Sequence, residues 1–145
     1  MPTPNPLNMP RSYRVYGHTL SFFTRKLTGY MSYKGLPWHR RTETYPDHVL
    51  ASDWPGAMPV LETPDGDILW DTTSIILDLD ALYPENAVLP EDNTLRFLCF
   101  ALEDYSVKWI YRCGPPTRWY FEENARYARL EIGREITIHK PFSRD

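Results

Sequence analysis

The chain has 145 residues, enough for one ordinary domain or a small domain with part of a second, and too few for two large ones. With 42% hydrophobic, 24% charged and 14% aromatic residues it reads as globular, and the aromatic share suits apolar pockets as well as a core. A net charge of -3 excludes the basic field that draws proteins to phosphate backbones, and no apolar run approaches the ~20 residues that span a bilayer.

The start, MPTPNPLNMP, lacks the basic-then-apolar layout of a secretion signal. The expected setting is therefore the cytoplasm, with neither nucleic acid nor membrane as partner. Residues 1–11 hold four prolines and read as an extended leader. Tyr13 to Tyr16 alternates as a short strand that Gly17 ends. From Ser21, a candidate N-cap, the spacing turns helical, with Phe22, Phe23, Leu27, Tyr30 and Met31 able to share a broad buried face. Lys34-Gly35-Leu36-Pro37 stops that helix, and Trp38 to Thr44 reads as a second strand parallel to the first. Tyr45 to Ala57 reads as a long loop with at most a helical turn.

Met58 to Thr63 is a short apolar strand, Pro64-Asp65-Gly66-Asp67 a hairpin turn, and Ile68-Leu69-Trp70 the returning strand. Asp71-Thr72-Thr73 caps a helix with Ile75, Ile76, Leu79 and Leu82 at helical period, ended by Pro84. After a short link, Asn93 to about Arg112 reads as one long helix with Leu95, Leu98, Leu102, Tyr105, Trp109 and Ile110 on one side, broken by Gly114-Pro115-Pro116. A last helix is expected from about Arg118 to Glu135, and a frayed or strand-like tail from Ile136. Cys99 and Cys113 fall within this helical sequence without a CxxC pairing, which argues against a disulfide framework or a zinc site. They are expected as two thiols buried on a helix face, and no metal is expected.

A βαβ unit followed by ββα is the thioredoxin-like plan, an α/β (α+β) fold, here followed by a short all-helical part. On that plan three local patterns resemble the glutathione transferases. YRVYGHTLSFFTRKLTGYMSYKGLPW is similar to the family's first strand, active-site loop and first helix. MPVLETPDG resembles its proline-led third strand, and DTTSIILDLDALYP its following helix. The resemblance covers Tyr13 to Pro84. It implies a leader at 1–11, a glutathione-binding domain at 12–84 and a partial helical domain at 92–145. Only about sixty residues follow Pro84, room for two helices rather than the family's usual bundle, so the helical domain is expected to be shortened.

The resemblance also implies roles for particular residues. Ser21 matches the position where serine-type members hold the glutathione sulfur, and a hydroxyl donor at a helix N-terminus favours thiolate over thiol. N-capping alone would equally select serine there. This chain departs from the serine-type pattern with Phe22 in place of proline and His18-Thr19 in place of Ser-Pro. Tyr13, Tyr16 and His18 stay open as other sources of the activating group. Pro59 matches the proline whose preceding peptide bond is cis in the family, which has Met58 present its backbone to the cysteinyl part of glutathione. Asp71 and Thr72 match the pair that grips the γ-glutamyl end, although capping would favour the same residues. Trp38, His39 and Arg40 are candidates for the glycyl carboxylate.

From the long helix, Tyr105 and Trp109, with Tyr111 and Arg112 beside them, are candidates for the electrophile site. The implied activity is attack of glutathione thiolate on a small electrophile, or a related glutathione-dependent reduction, with glutathione as co-substrate and a homodimer as an open possibility. The alternative is a non-catalytic glutathione-binding or structural relative.

Overall fold

The computed structural model describes residues 12–41, 45–53 and 55–137. The leader, the end of the expected second strand at 42–44 and the tail beyond 137 lie outside the described residues. A four-stranded mixed sheet runs in the order β2-β1-β3-β4. Here β1 is Tyr13–Tyr16, β2 is Trp38–Arg41, β3 is Val60–Glu62 and β4 is Ile68–Trp70. β1 pairs parallel with β2 and antiparallel with β3, and β3 pairs antiparallel with β4, as a βαβ unit joined to a ββ hairpin requires.

Period-two alternation divides the strands between two faces. Tyr13, Val15 and Leu61 face a core completed by Leu27, Tyr30 and Met31 of α1 (Phe22–Tyr33) and by Ile75 and Leu79 of α3 (Thr72–Leu82). Tyr16 and Val60 meet Val49 on the opposite face, under the one-turn helix α2 (Asp47–Leu50). The expected face of α1 divides accordingly. Leu27, Tyr30 and Met31 are buried, whereas Phe22, in the first turn, is exposed, because the sheet lies beneath the later turns.

The link after α3 is tied down by a buried ion pair. Lys34 Nζ lies 2.9 Å from Asp80 Oδ1 and also donates to the Tyr83 and Glu85 carbonyls, while the Asp80 carboxylate accepts the Val88 N–H. The chain then enters α4 (Asn93–Lys108), a 3-10 turn (Ile110–Cys113), α5 (Gly114–Tyr120) and α6 (Glu122–Thr137).

Three expectations are corrected here. The long helix ends at Lys108, and Gly114-Pro115-Pro116 opens α5 instead of breaking a helix, because proline's missing N–H carries no penalty in a first turn. The expected last helix is two helices, separated at Phe121, whose backbone is extended. The acids Glu122 and Glu123 in the first turn of α6 are the sequence signal of that second start. Ile136 and Thr137 continue α6 and do not begin a strand.

The two thiols are not buried. Cys99 is partly exposed and Cys113 exposed, since α4 packs on the first domain through too little of its surface to bury any of its residues. Among the described residues no helix is long and apolar enough to cross a membrane.

Candidate functional site

Backbone geometry at two chain turns builds one cleft. The Met58–Pro59 peptide bond is cis, and Pro59 is buried where the chain enters β3. On the far side of the hairpin, Asp71 turns the chain from β4 into α3 at φ 73°, a conformation that aspartate tolerates better than most residues because its short carboxylate bonds locally. That carboxylate caps α3 by accepting the Thr73 and Ser74 N–H groups at 3.0 and 2.9 Å. The Thr72 N–H belongs to the first turn, where helix donors have no intrahelical acceptor. Met58, Pro59, Asp71 and Thr72 line this cleft together with Phe23 of α1 and Val107 of α4. The dipole of α3 at its N-terminus and the Thr72 N–H favour an anionic group.

Ser21 is the N-cap of α1, its Oγ accepting the Thr24 N–H at 3.3 Å. Ser21 itself lines neither hollow, although its chain neighbours do: Phe23 belongs to the cleft, while Leu20 and Phe22 line a second cavity. As an acceptor from Thr24 the hydroxyl retains its own proton for donation.

Neither strand tyrosine is free for such a task. Tyr16 donates its hydroxyl to buried Glu62 at 2.7 Å, and burial, then that bond, push its phenol up to about 12. Tyr13 shares a hydrogen bond with the Tyr83 hydroxyl at 3.1 Å, and burial raises its phenol further still.

The other sequence candidates lie elsewhere. Trp38 and Arg40 are on the edge strand β2 and line a separate depression with Thr19, Thr24, Arg25 and Thr28. Trp38 Nε1 donates to Ser32 Oγ at 3.2 Å. Arg40 Nη1 reaches Glu135 Oε1 of α6 at 3.2 Å and donates to the Thr19 hydroxyl. Tyr105 and Trp109 are more than half exposed, and neither lines the cleft or the second cavity.

The sequence model for the N-terminal domain of glutathione S-transferase matches residues 15–87, half of the chain. The chain belongs to the glutathione S-transferase family.

Solved structures agree. A glutathione S-transferase from Rhodospirillum rubrum is 27% identical with a TM-score of 0.62, the alignment covering 69% of this chain and 47% of that one. A rice glutathione S-transferase in complex with glutathione shares the fold at 23% identity and TM-score 0.64, over 88% of this chain and 61% of its own. A Burkholderia glutathione transferase homolog with bound glutathione aligns at 24% identity and TM-score 0.56, over 67% of this chain and 56% of its own. The chain therefore spans about half to three-fifths of the length of these transferases. No curated protein sequence matches it.

The second cavity of this family member lies between the start of α1 and the helical part. Leu20, Phe22 and Arg25 line it on one side, and Ile110, Tyr111, Pro115 and Arg118 on the other, enclosing about 460 Å³. That volume falls in the range of about 300–1,000 Å³ usual for small-molecule sites. Tyr111 stacks at 6.1 Å on Phe22 and at 4.7 Å on Phe23, which joins the cavity to the cleft through one aromatic cluster.

Val107, Phe23, Arg118 and Glu135 are the residues of this region that sequence reasoning missed. Val107 and Phe23 carry no chemistry to mark them. Arg118 and Glu135 figured in the sequence only as the approximate ends of the last helix, and it is the fold that brings them to the loop before α1.

Proposed function

We propose that the chain binds glutathione in the cleft and is a glutathione transferase of the serine type. The observation that carries this reading is the convergence of Met58, Pro59, Asp71 and Thr72 on one cleft beside the N-terminus of α1. In it the Met58 backbone pairs with the cysteinyl unit. Asp71 takes the γ-glutamyl ammonium, and the Thr72 hydroxyl and N–H take the neighbouring carboxylate. Ser21 donates its hydroxyl hydrogen to the sulfur, which lowers the thiol's proton affinity and raises the fraction of nucleophile. The thiol proton passes to solvent as the thiolate forms. The thiolate then attacks an electrophilic carbon held in the aromatic cavity beside Tyr111, the carbon–sulfur bond forming as a leaving group such as chloride departs with the electron pair of its bond to that carbon. Glutathione-dependent reduction would use the same thiolate.

The exposed apolar side chains of α4, among them Phe97, Leu98 and Leu102, support self-association as part of this reading, and sedimentation measures it. A second reading, a glutathione-binding relative without turnover, is favoured by the engagement of Ser21 Oγ as an ordinary helix cap. Calorimetric titration with reduced glutathione tests the shared part, and Ser21→Ala separates the two. Loss of conjugation with binding retained supports the transferase, while turnover equal to that of the unaltered chain removes Ser21 as the activating group.

A further inference from the structure

The loop from Gly17 to Ser21 carries the proposed activating hydroxyl, and polar groups of His18, Thr19 and Leu20 are satisfied by residues more than ninety positions away in the chain. Glu135 of α6 accepts the Thr19 N–H with both carboxylate oxygens at 3.1 Å and also accepts the Thr19 hydroxyl. Its Oε2 lies 3.0 Å from His18 Nδ1, and Arg40 Nη1 lies 3.2 Å from Oε1. Arg118 of α5 donates to the Leu20 carbonyl at 2.6 Å. The Ser21 N–H closes the turn onto the His18 carbonyl at 3.0 Å. Each residue of the loop from His18 to Ser21 is thus fixed, and three of them, His18, Thr19 and Leu20, are held by a side chain from the helical part.

Glu135 is only 8% exposed. Burying a carboxylate is costly unless its lone pairs are occupied, and here one guanidinium, one imidazole, one hydroxyl and one amide occupy them. Burial would raise its carboxyl, but the Thr19 bonds, His18 and Arg40 outweigh burial and hold it below the ordinary carboxylate range. An ionised carboxylate only accepts, so the hydrogen in the His18 contact is carried on Nδ1. Glu135 shares its face of α6 with the buried Ala125 and Ala128, and from the last turns of that helix its carboxylate reaches back to this one loop.

We propose that Glu135 is a positioning residue for the glutathione thiol, anchoring His18 and Thr19 from the last helix so that Ser21 is presented to the sulfur. This rests on the assignment of Ser21 as the thiol's partner. It makes the helical part a component of thiol activation and not only a wall for the electrophile. The grip on the peptide itself belongs to Met58, Asp71 and Thr72, so loosening the anchor affects the reactivity of bound glutathione more than its binding.

The test uses the full chain with Glu135→Gln, which keeps size while losing charge and one acceptor, and Glu135→Asp, which keeps the charge. Three quantities are read: hydrogen exchange of the peptide spanning 17–24, ultraviolet titration of the bound glutathione thiolate, and conjugation of glutathione to a chlorodinitrobenzene. In Glu135→Gln the expected results are faster exchange in 17–24 with peptides from β3 and α3 unchanged, and a bound thiol that ionises at higher pH. A loss in kcat/KM of about ten- to a hundredfold is expected, with KM for glutathione little altered. Partial rescue is expected in Glu135→Asp.

Unchanged exchange at 17–24 in Glu135→Gln, or loosened exchange with an unchanged thiol titration and kcat, overturns the proposal. Failure of the unaltered chain to bind glutathione would instead overturn the function proposed above, and the exchange result would still decide whether Glu135 anchors the loop.

Discussion

Asp71 is asked to do two things, to cap α3 and to hold the glutathione ammonium, and substitutions separate them. Asp71→Asn preserves both the capping oxygen and the tolerance for φ 73°. Stability should therefore change by less than about 1 kcal/mol, the residual being lost attraction to the helix dipole. Binding should respond differently, because a hydrogen bond to a charged partner contributes about 1 kcal/mol more than a neutral one, which is roughly five- to tenfold in Kd. Asp71→Ala removes the two bonds at 3.0 and 2.9 Å to Thr73 and Ser74. That costs about 1 kcal/mol, and placing a Cβ without a compensating local bond at positive φ costs about 1 kcal/mol more. A total of about 2 kcal/mol corresponds to a fall in Tm of roughly 4–8 °C for a chain of this size. Asp71→Gly relieves the backbone and should lie between the two. The assays are thermal unfolding and calorimetric titration with reduced glutathione. An Asn variant that binds as tightly as the unaltered chain would refute the ammonium role and leave Asp71 a cap.

Further predictions follow from packing and charge. A methyl group added at Gly17 would press into Thr24 Oγ1 and lie 3.1 Å from its Cγ2, so Gly17→Ala should destabilise by about 1–3 kcal/mol in urea unfolding. Because Thr24 is buried and its Oγ1 has no hydrogen-bond partner among the described residues, adding Thr24→Ala should recover a measurable part, a coupling above about 0.5 kcal/mol.

Burial raises the Glu62 and Asp80 carboxyls, but Tyr16, Arg14 and His48 at the first and Lys34 with the Val88 N–H at the second outweigh it, and both are held below their ordinary values. With Glu135 they are three groups whose folded pKa lies under the unfolded one. Their stabilisation is full above about pH 4.5 and is lost as pH falls through the folded values. Unfolding free energy should therefore drop steeply below about pH 4, and Glu62→Gln should flatten part of that slope. Tyr111→Ala should raise KM for an aromatic electrophile and leave glutathione binding intact, whereas Tyr105→Ala should change neither. The reverse pattern in steady-state kinetics would return the electrophile site to the outer face of α4.

Much of the first domain is legible in the chain because its signals are local. Alternation at Tyr13–Tyr16, the serine before the apolar run of α1, the proline before Val60 and the Asp-Gly turn before Ile68 each fix an element through neighbours a few residues away. Local chemistry marks Pro59, Asp71 and Thr72 as element boundaries, but Met58, Pro59, Asp71 and Thr72 could be named as cleft residues only through the resemblance to the glutathione transferases. The helical part was read less well. The break at Phe121 has no glycine or proline to announce it, and the aromatic residues of α4 gave no sign of which would meet the first domain. Periodicity defines a stripe but not its partner, so Tyr105 and Trp109 looked as suitable as Tyr111.

By itself, then, the sequence determined the order of elements in the first domain and its helix caps, governed by interactions within a few positions. Only the tertiary structure decided which helical side chains reach the loop before α1. The bonds of Glu135 to His18 and Thr19, and of Arg118 to Leu20, join residues about a hundred positions apart. Such pairs arise from the docking of whole elements and leave no spacing for the chain to display.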